Sequence, residues 1–316
     1  MLDVSAWPPF RWGILKQYAS RTFESKVMSE ESMTTETTPL ISGLTFAEGL
    51  RWHRDHLWFS DMYVGEVHQW SSAAGDTVVA TLDDATSGIG WQNADDDPIV
   101  VSMDDRLLVK LSPGDVPSVV ADLSSYSTAP INDLVVGVDG AAYIGTFGFD
   151  FHAGEDFKTG VIVRVSPDAS HRVVADGLRF PNGMVVTDGG ATLVCAGSLG
   201  CRLTAFSVSS TGDLTDRRIW AQLPEGTLPD GICLDAEGAI WVASTQTSEC
   251  LRVVEGGTVV ERVSVGDRLA VACALGGEDG HTLFVATSIH LAPDDCRALR
   301  DSRIETVAVA VGAAGH

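Results

Sequence analysis

One phrase recurs along this chain and restricts what it can fold into. In Leu228-Pro229-Asp230-Gly231-Ile232-Cys233-Leu234, an apolar extended run follows an acidic residue at its mouth. Turn residues Asp235 to Gly238 come next, and Ala239 to Ala243 supply a second apolar run with an aromatic and a β-branched residue. Phe180-Pro181-Asn182-Gly183-Met184-Val185-Val186 runs through Asp188-Gly189-Gly190 into Ala191-Thr192-Leu193-Val194 in the same way. So does Ile131-Asn132-Asp133-Leu134-Val135-Val136, through Asp139-Gly140 into Ala141-Ala142-Tyr143-Ile144.

The turn fixes the register. Eight residues separate Asp230 from Gly238, Asn182 from Gly190 and Asn132 from Gly140. Stepping back eight from the turns at His56, Pro98 and Gly280 gives Glu48, Gly90 and Ala272. The six slots Glu48, Gly90, Asn132, Asn182, Asp230 and Ala272 are spaced 42, 42, 50, 48 and 42 residues apart. Six short-stranded units of near-constant length predict an all-β radial repeat, a six-bladed β-propeller with four-stranded blades. A blade cannot bury its faces alone, so the repeat predicts one domain over residues 39–316. The sixth unit runs out after three strands, Arg303 to Val311 being the last. An unfilled outer position leaves a raw edge, and Leu40-Ile41-Ser42-Gly43-Leu44 is the natural filler, zipping the two ends together in one blade.

Residues 1–38 stand outside the repeat. Ser29 to Thr38 is rich in Ser, Thr and Glu, which predicts disorder, and Trp7 to Phe23 carries aromatics with Arg and Lys in a pattern compatible with a short amphipathic helix. The tail reads as dispensable or, alternatively, as a docking segment; nothing in it resembles a secretory signal. The chain has no apolar run of membrane-spanning length. Its net charge of -22, from 43 acidic and 21 basic residues, opposes nucleic-acid binding. The six cysteines include no C-x-x-C pair, and we read them as reduced and structural in a cytoplasmic protein.

In a propeller the innermost strands line a central channel and all run the same way. Slots of equal register therefore share one height around the axis. Glu48, Asn132, Asn182 and Asp230 would converge there, with Gly90 and Ala272 leaving room. Singly, Asn-Gly and Asp-Gly are ordinary turn dipeptides. Together, two carboxylates and two amide oxygens form a hard-cation set. Two anionic charges suit Ca²⁺, with Mg²⁺, Mn²⁺ and in vitro Zn²⁺ as alternatives. The long connection Phe147 to Gly160, carrying Phe147, Phe149, Phe151, Phe157 and His152, reads either as a lid over the site, with Phe147, Phe149 and His152 contacting substrate, or as a self-packed surface loop.

Ala47-Glu48-Gly49-Leu50-Arg51-Trp52, the Asn132-Asp133 pair, Phe180-Pro181-Asn182-Gly183-Met184 and Pro229-Asp230-Gly231-Ile232 together resemble the senescence-marker-protein/gluconolactonase/luciferin-regenerating-enzyme family over residues 40–316. The resemblance implies a divalent metal in the channel, with Glu48, Asn182 and Asp230 as its direct ligands. It implies that Asn132 lies beside the metal, reaching substrate. The family's usual reaction is hydrolysis of lactones. Sugar-lactone members carry Arg two residues before the asparagine, where this chain has Pro130. With the aromatic loop, this shifts the expectation to a less polar lactone or ester.

On that reading the metal polarises the carbonyl, Asp230 is the general base with Glu48 as second choice, and Asn132 assists. A carboxylate that binds a cation is a weaker base, so water activated by the cation itself is the competing source of the nucleophile. Two other classes fit the same fold: a non-enzymatic binding propeller with a structural metal, and a metal-free small-molecule synthase.

Overall fold

A computed structural model of the chain describes residues 35–94, 96–112 and 116–314. The expected helix and most of the expected disordered stretch lie outside the described residues. Six four-stranded antiparallel sheets form a ring, the six-bladed propeller read from the repeat. Blade one consists of Ala47–His53, His56–Asp61, Glu66–Ser71 and Gly75–Thr81; blade two of Thr86–Gly90, Ile99–Ser102, Leu107–Lys110 and Ser118–Asp122. Blade three is built from Ile131–Val136, Ala142–Thr146, Gly160–Val165 and His171–Leu178, and blade four from Pro181–Thr187, Thr192–Gly197, Arg202–Val208 and Leu214–Gln222. Blade five holds Pro229–Leu234, Ile240–Ser244, Glu249–Val253 and Val259–Ser264.

Blade six takes three strands from the C-terminal end, Leu269–Gly276, Thr282–Ser288 and Ser302–Ala308, and its outer strand, Thr38–Leu44, from the N-terminal end. The zipper pairs Thr38 with Thr306, Ile41 with Ile304 and Leu44 with Ser302. Ile41 and Leu44 face inward and are buried. Strand pairing begins ahead of the expected 38/39 boundary. Thr35–Glu36 adds in parallel to Val259–Ser264 on the outside of blade five, and the Thr37 hydroxyl donates to Glu305.

Burial falls from the axis outward, which explains the sequence pattern of each strand. Second strands such as Ile240–Ser244 are buried throughout, because a neighbouring blade packs on each face. Outer strands such as Gly75–Thr81 alternate little and are largely exposed. Near the axis the inner strands crowd. A Cβ on Gly231 would lie 2.6 Å from Cα of Ala272, and one on Gly183 would lie 2.7 Å from the Asp230 carbonyl oxygen. Glycine after the slot residue is therefore a packing requirement of the channel. Blades three and six depart from this: Val271 follows Ala270 in blade six, and in blade three Asp133 follows Asn132, its carboxylate filling the space beside Gly88.

The strand pairing corrects two slots. Each inner strand carries a bulge just after its slot, between Pro229 and Ile232 in blade five and between Thr86 and Ile89 in blade two. By that register the blade-two slot is Ser87, not Gly90, and the blade-six slot is Ala270, not Ala272. The count of eight fails because blade two has a short inner strand, Thr86–Gly90, before a long turn, whereas blade six has an eight-residue strand, Leu269–Gly276. Among the described residues no helix is long and apolar enough to cross a membrane.

Candidate active site

Connections that precede each inner strand, and those joining second to third strands, gather at one face of the ring. They enclose a cavity of about 310 Å³ whose floor is the top of the channel. Glu48 from blade one, Asn132 from blade three, Asn182 from blade four and Asp230 from blade five all reach it, as the register argument expects. All four are buried.

Their hydrogen bonds are sparse for buried polar groups. Glu48 Oε2 accepts from the Gly49 amide at 2.9 Å. The Asn132 amide nitrogen reaches the Pro181 carbonyl at 3.4 Å, and its oxygen accepts from Ser87 Oγ at 3.5 Å. Asn182 Nδ2 lies 3.4 Å from Ser198 Oγ, whose own proton goes to the Pro229 carbonyl at 2.7 Å. Asp230 Oδ1 is buried with no hydrogen-bond partner, an arrangement native structures rarely leave unexplained.

Burial pushes the Glu48 carboxyl well above the usual carboxylate range, and the charges of Asp230 and Asp133 push it further, against the Gly49 amide and Arg51. Asp230 is raised likewise, by burial first and then by Asp133, with hydrogen bonding from Asn182 opposing. Beneath the floor, Arg51 Nη2 binds Asp133 Oδ1 at 2.7 Å and the Leu134 carbonyl at 2.6 Å, bridging the channel. Two buried carboxylates that resist ionisation together, amide oxygens beside them and an orphaned Oδ1 fit a divalent cation held by oxygens.

The cavity walls are mainly apolar. Phe147 and Phe149 from the long blade-three connection both line it, and both stack on or against Phe180, at centroid distances of 4.4 and 6.0 Å. Phe149 is fully buried, so it forms the base of the wall rather than a mobile surface. Phe151 and His152 complete this side, their rings 3.8 Å apart. Phe157 does not line the cavity; it packs behind Phe149 at 5.5 Å, with the Arg179 guanidinium 4.9 Å over its ring. Pro130 lies on the wall, at the entrance to blade three's inner strand.

The opposite wall escaped the sequence reading. It comes from the matching connection of blade six, which holds the helix Pro293–Leu299 and contributes Leu291, Pro293 and Arg297. Tyr63, in a 3-10 turn of blade one, ties this wall together. Its hydroxyl donates to the Leu291 carbonyl at 3.1 Å, and its own carbonyl accepts from Arg297 Nε at 3.1 Å. The helix did carry a signal, proline at the first turn followed by Asp294 and Asp295.

A sequence profile of the SMP-30/Gluconolactonase/LRE-like region matches residues 46–289. Pentonolactonase XacC from Haloferax volcanii is 24% identical over 258 residues, covering 80% of this chain and 85% of that protein. Regucalcin from Gallus gallus is 23% identical over 228 residues, 71% of this chain and 76% of that one. A solved structure of a calcium-binding protein, regucalcin, from Agrobacterium tumefaciens superposes with a TM-score of 0.75 at 20% identity, over 90% of this chain and 97% of that one. The profile spans every inner strand from the first slot to the sixth, so the acidic and amide residues at the cavity floor sit on the framework it describes: this chain belongs to the SMP-30/gluconolactonase/LRE-like family.

Proposed function

We propose that the chain is a divalent-metal-dependent hydrolase that opens a lactone or related ester. The observation that carries this is the convergence of Glu48, Asn132, Asn182 and Asp230 at the cavity floor with Asp230 Oδ1 unpartnered. Family membership and the likeness to a pentonolactonase support the reaction class. Glu48, Asn182 and Asp230 would hold the cation, and Ca²⁺ suits their charge and oxygen donors best. Bound there, a cation supplies Lewis-acid polarisation of a carbonyl.

The chain's own groups do the rest. Asn132 presents an amide to the ring-opening substrate and orients it. Asp230 would accept a proton from attacking water as general base, with water activated by the cation as the competing nucleophile. The aromatic walls exclude bulk water and favour an apolar body on the substrate. Pro130, where a sugar-binding site would need a donor, offers none, and a site without a donor cannot reward a substrate hydroxyl. We therefore propose a hydrophobic lactone or aryl ester over an aldonolactone, and a cytoplasmic setting in keeping with six free thiols.

The experiment is hydrolysis of a lactone panel by purified protein, with chelator and after re-addition of Ca²⁺, Mg²⁺, Mn²⁺ or Zn²⁺. Loss on chelation and recovery with one cation supports the proposal. Full activity after metal analysis confirms removal overturns the metal, and no turnover of any lactone or ester overturns the hydrolase.

A further inference from the structure

A second group of metal-binding side chains lies in blade one, outside the channel. Asp61 and Glu66 are directly opposed on the antiparallel strands His56–Asp61 and Glu66–Ser71. His68 stands two residues beyond Glu66, hence on the same face, with its ring stacked on Phe59 at 4.7 Å. Its Nδ1 lies 3.0 Å from Asp76 Oδ1 and 3.1 Å from Oδ2. That contact and the stacking fix the ring. They aim Nε2 inward, where it is buried and makes no hydrogen bond, its side chain only 6% exposed. Glu66 Oε2 is 3.4 Å away, and donor atoms of Asp61, Glu66 and His68 all fall within 4.8 Å of one another.

We infer that blade one carries a second metal site, formed by His68 Nε2, Glu66 and Asp61 and suited to Zn²⁺. Tetrahedral zinc with bonds of about 2.0–2.1 Å separates its ligands by roughly 3.3 Å, close to the His68–Glu66 spacing. A histidine that hands its other ring N–H to a carboxylate, as His68 does to Asp76, is the usual outer arrangement of such sites. Asp61 keeps one oxygen available. Its Oδ1 accepts from the Thr45 and Phe46 amides at 2.8 and 2.9 Å and from the Thr45 hydroxyl. Its Oδ2 shares the Thr45 amide at 3.1 Å and pairs with Arg300 at 3.5 Å, less heavily engaged than Oδ1. Glu66, with its side chain 31% exposed, leaves an entry path and an open fourth position.

Imidazole with two carboxylates selects zinc-like ions, whereas the all-oxygen floor of the channel selects harder ones. The two sites therefore separate by metal. The hairpin that carries Asp61 and Glu66 turns at Met62–Val64, and Met62 and Tyr63 line the cavity, so zinc here braces that wall. The ordinary reading of the same group is a protonated His68 bridging Asp76 and Glu66 with no metal.

The test is calorimetric titration of chelator-stripped protein with ZnCl₂ in the presence of saturating Ca²⁺, with melting temperature followed in parallel. One zinc equivalent and a zinc-dependent rise in melting temperature are expected. Glu66→Gln and His68→Gln should each abolish both, and Asp76→Asn should weaken binding about 10- to 100-fold. Asp230→Asn should leave the equivalent in place. Glu66→Gln is isosteric at a partly exposed position, so it tests the site even if His68→Gln misfolds. No saturable equivalent, an equivalent that survives Glu66→Gln, or one lost in Asp230→Asn overturns the inference.

Discussion

Replacing Arg51 by Met should destabilise the fold markedly. The guanidinium holds Asp133 at 2.7 Å and donates to the Leu134 and Leu50 carbonyls at 2.6 and 2.8 Å. The Asp133 side chain is 4% exposed, while that of Arg51 is 22% exposed. Removing one partner of a buried pair costs about 3–5 kcal/mol, because the other charge is left uncompensated. Water reaches the Arg51 side, which places this case near the lower end, at about 3 kcal/mol. Asp133→Asn leaves an arginine that still touches solvent and should cost roughly half as much. The double variant should recover about 0.5–3 kcal/mol relative to the sum of the singles, the range seen for residues in direct contact. Urea unfolding in chelator, which removes any contribution from a bound cation, reads all three numbers. A loss below about 1 kcal/mol for Arg51→Met, or strict additivity in the double variant, would refute the view that this pair is the buried bridge of the channel.

Chelation should lower the melting temperature and activity together, since a ligand that binds only the folded ring stabilises it by mass action; activity without metal would refute this. Asp230→Asn should abolish turnover of every substrate while the protein remains folded by circular dichroism. Pro130→Arg should raise kcat/KM for gluconolactone relative to an aryl lactone, and a strong wild-type preference for gluconolactone would sink the substrate argument while sparing the metal. Deleting residues 1–34 should leave the melting temperature unchanged, whereas deletion through Leu44 should lower it by exposing the Ser302–Ala308 edge; equal melting of the two truncations would refute the zipper's importance.

The floor of the site was legible because its residues obey a local rule. Each stands at a strand mouth, followed by a residue small enough for the crowded channel or, at Asp133, by one that fills it. The two slots misplaced, Gly90 for Ser87 and Ala272 for Ala270, lie in the blades whose inner hairpins depart from the common length. A residue count cannot see a bulge or a lengthened strand; pairing can. The blade-three wall was legible as a long loop dense in phenylalanine, although Phe157 turned out to support the wall rather than form it. The facing wall was not legible, because Tyr63 of blade one and Leu291 and Arg297 of the blade-six connection meet there from segments far apart in the chain. The helix that carries Arg297 is only seven residues long, too short for a periodic pattern to declare itself.

The zipper also sets an order of events during synthesis. Thr38 pairs with Thr306 and Leu44 with Ser302, so a strand made before all six inner strands is among the last to be placed. At about 5–20 residues per second, a ribosome takes on the order of 13–50 seconds between releasing the two sides of that seam. Throughout that interval Ile41 and Leu44 have no blade to enter. Blades one to five can stack progressively as they emerge, each on the one before. The circle itself closes only once Ser302–Ala308 has emerged, which makes the waiting strand Thr38–Leu44 a natural client for chaperones and the seam the place where a second nascent copy could exchange strands.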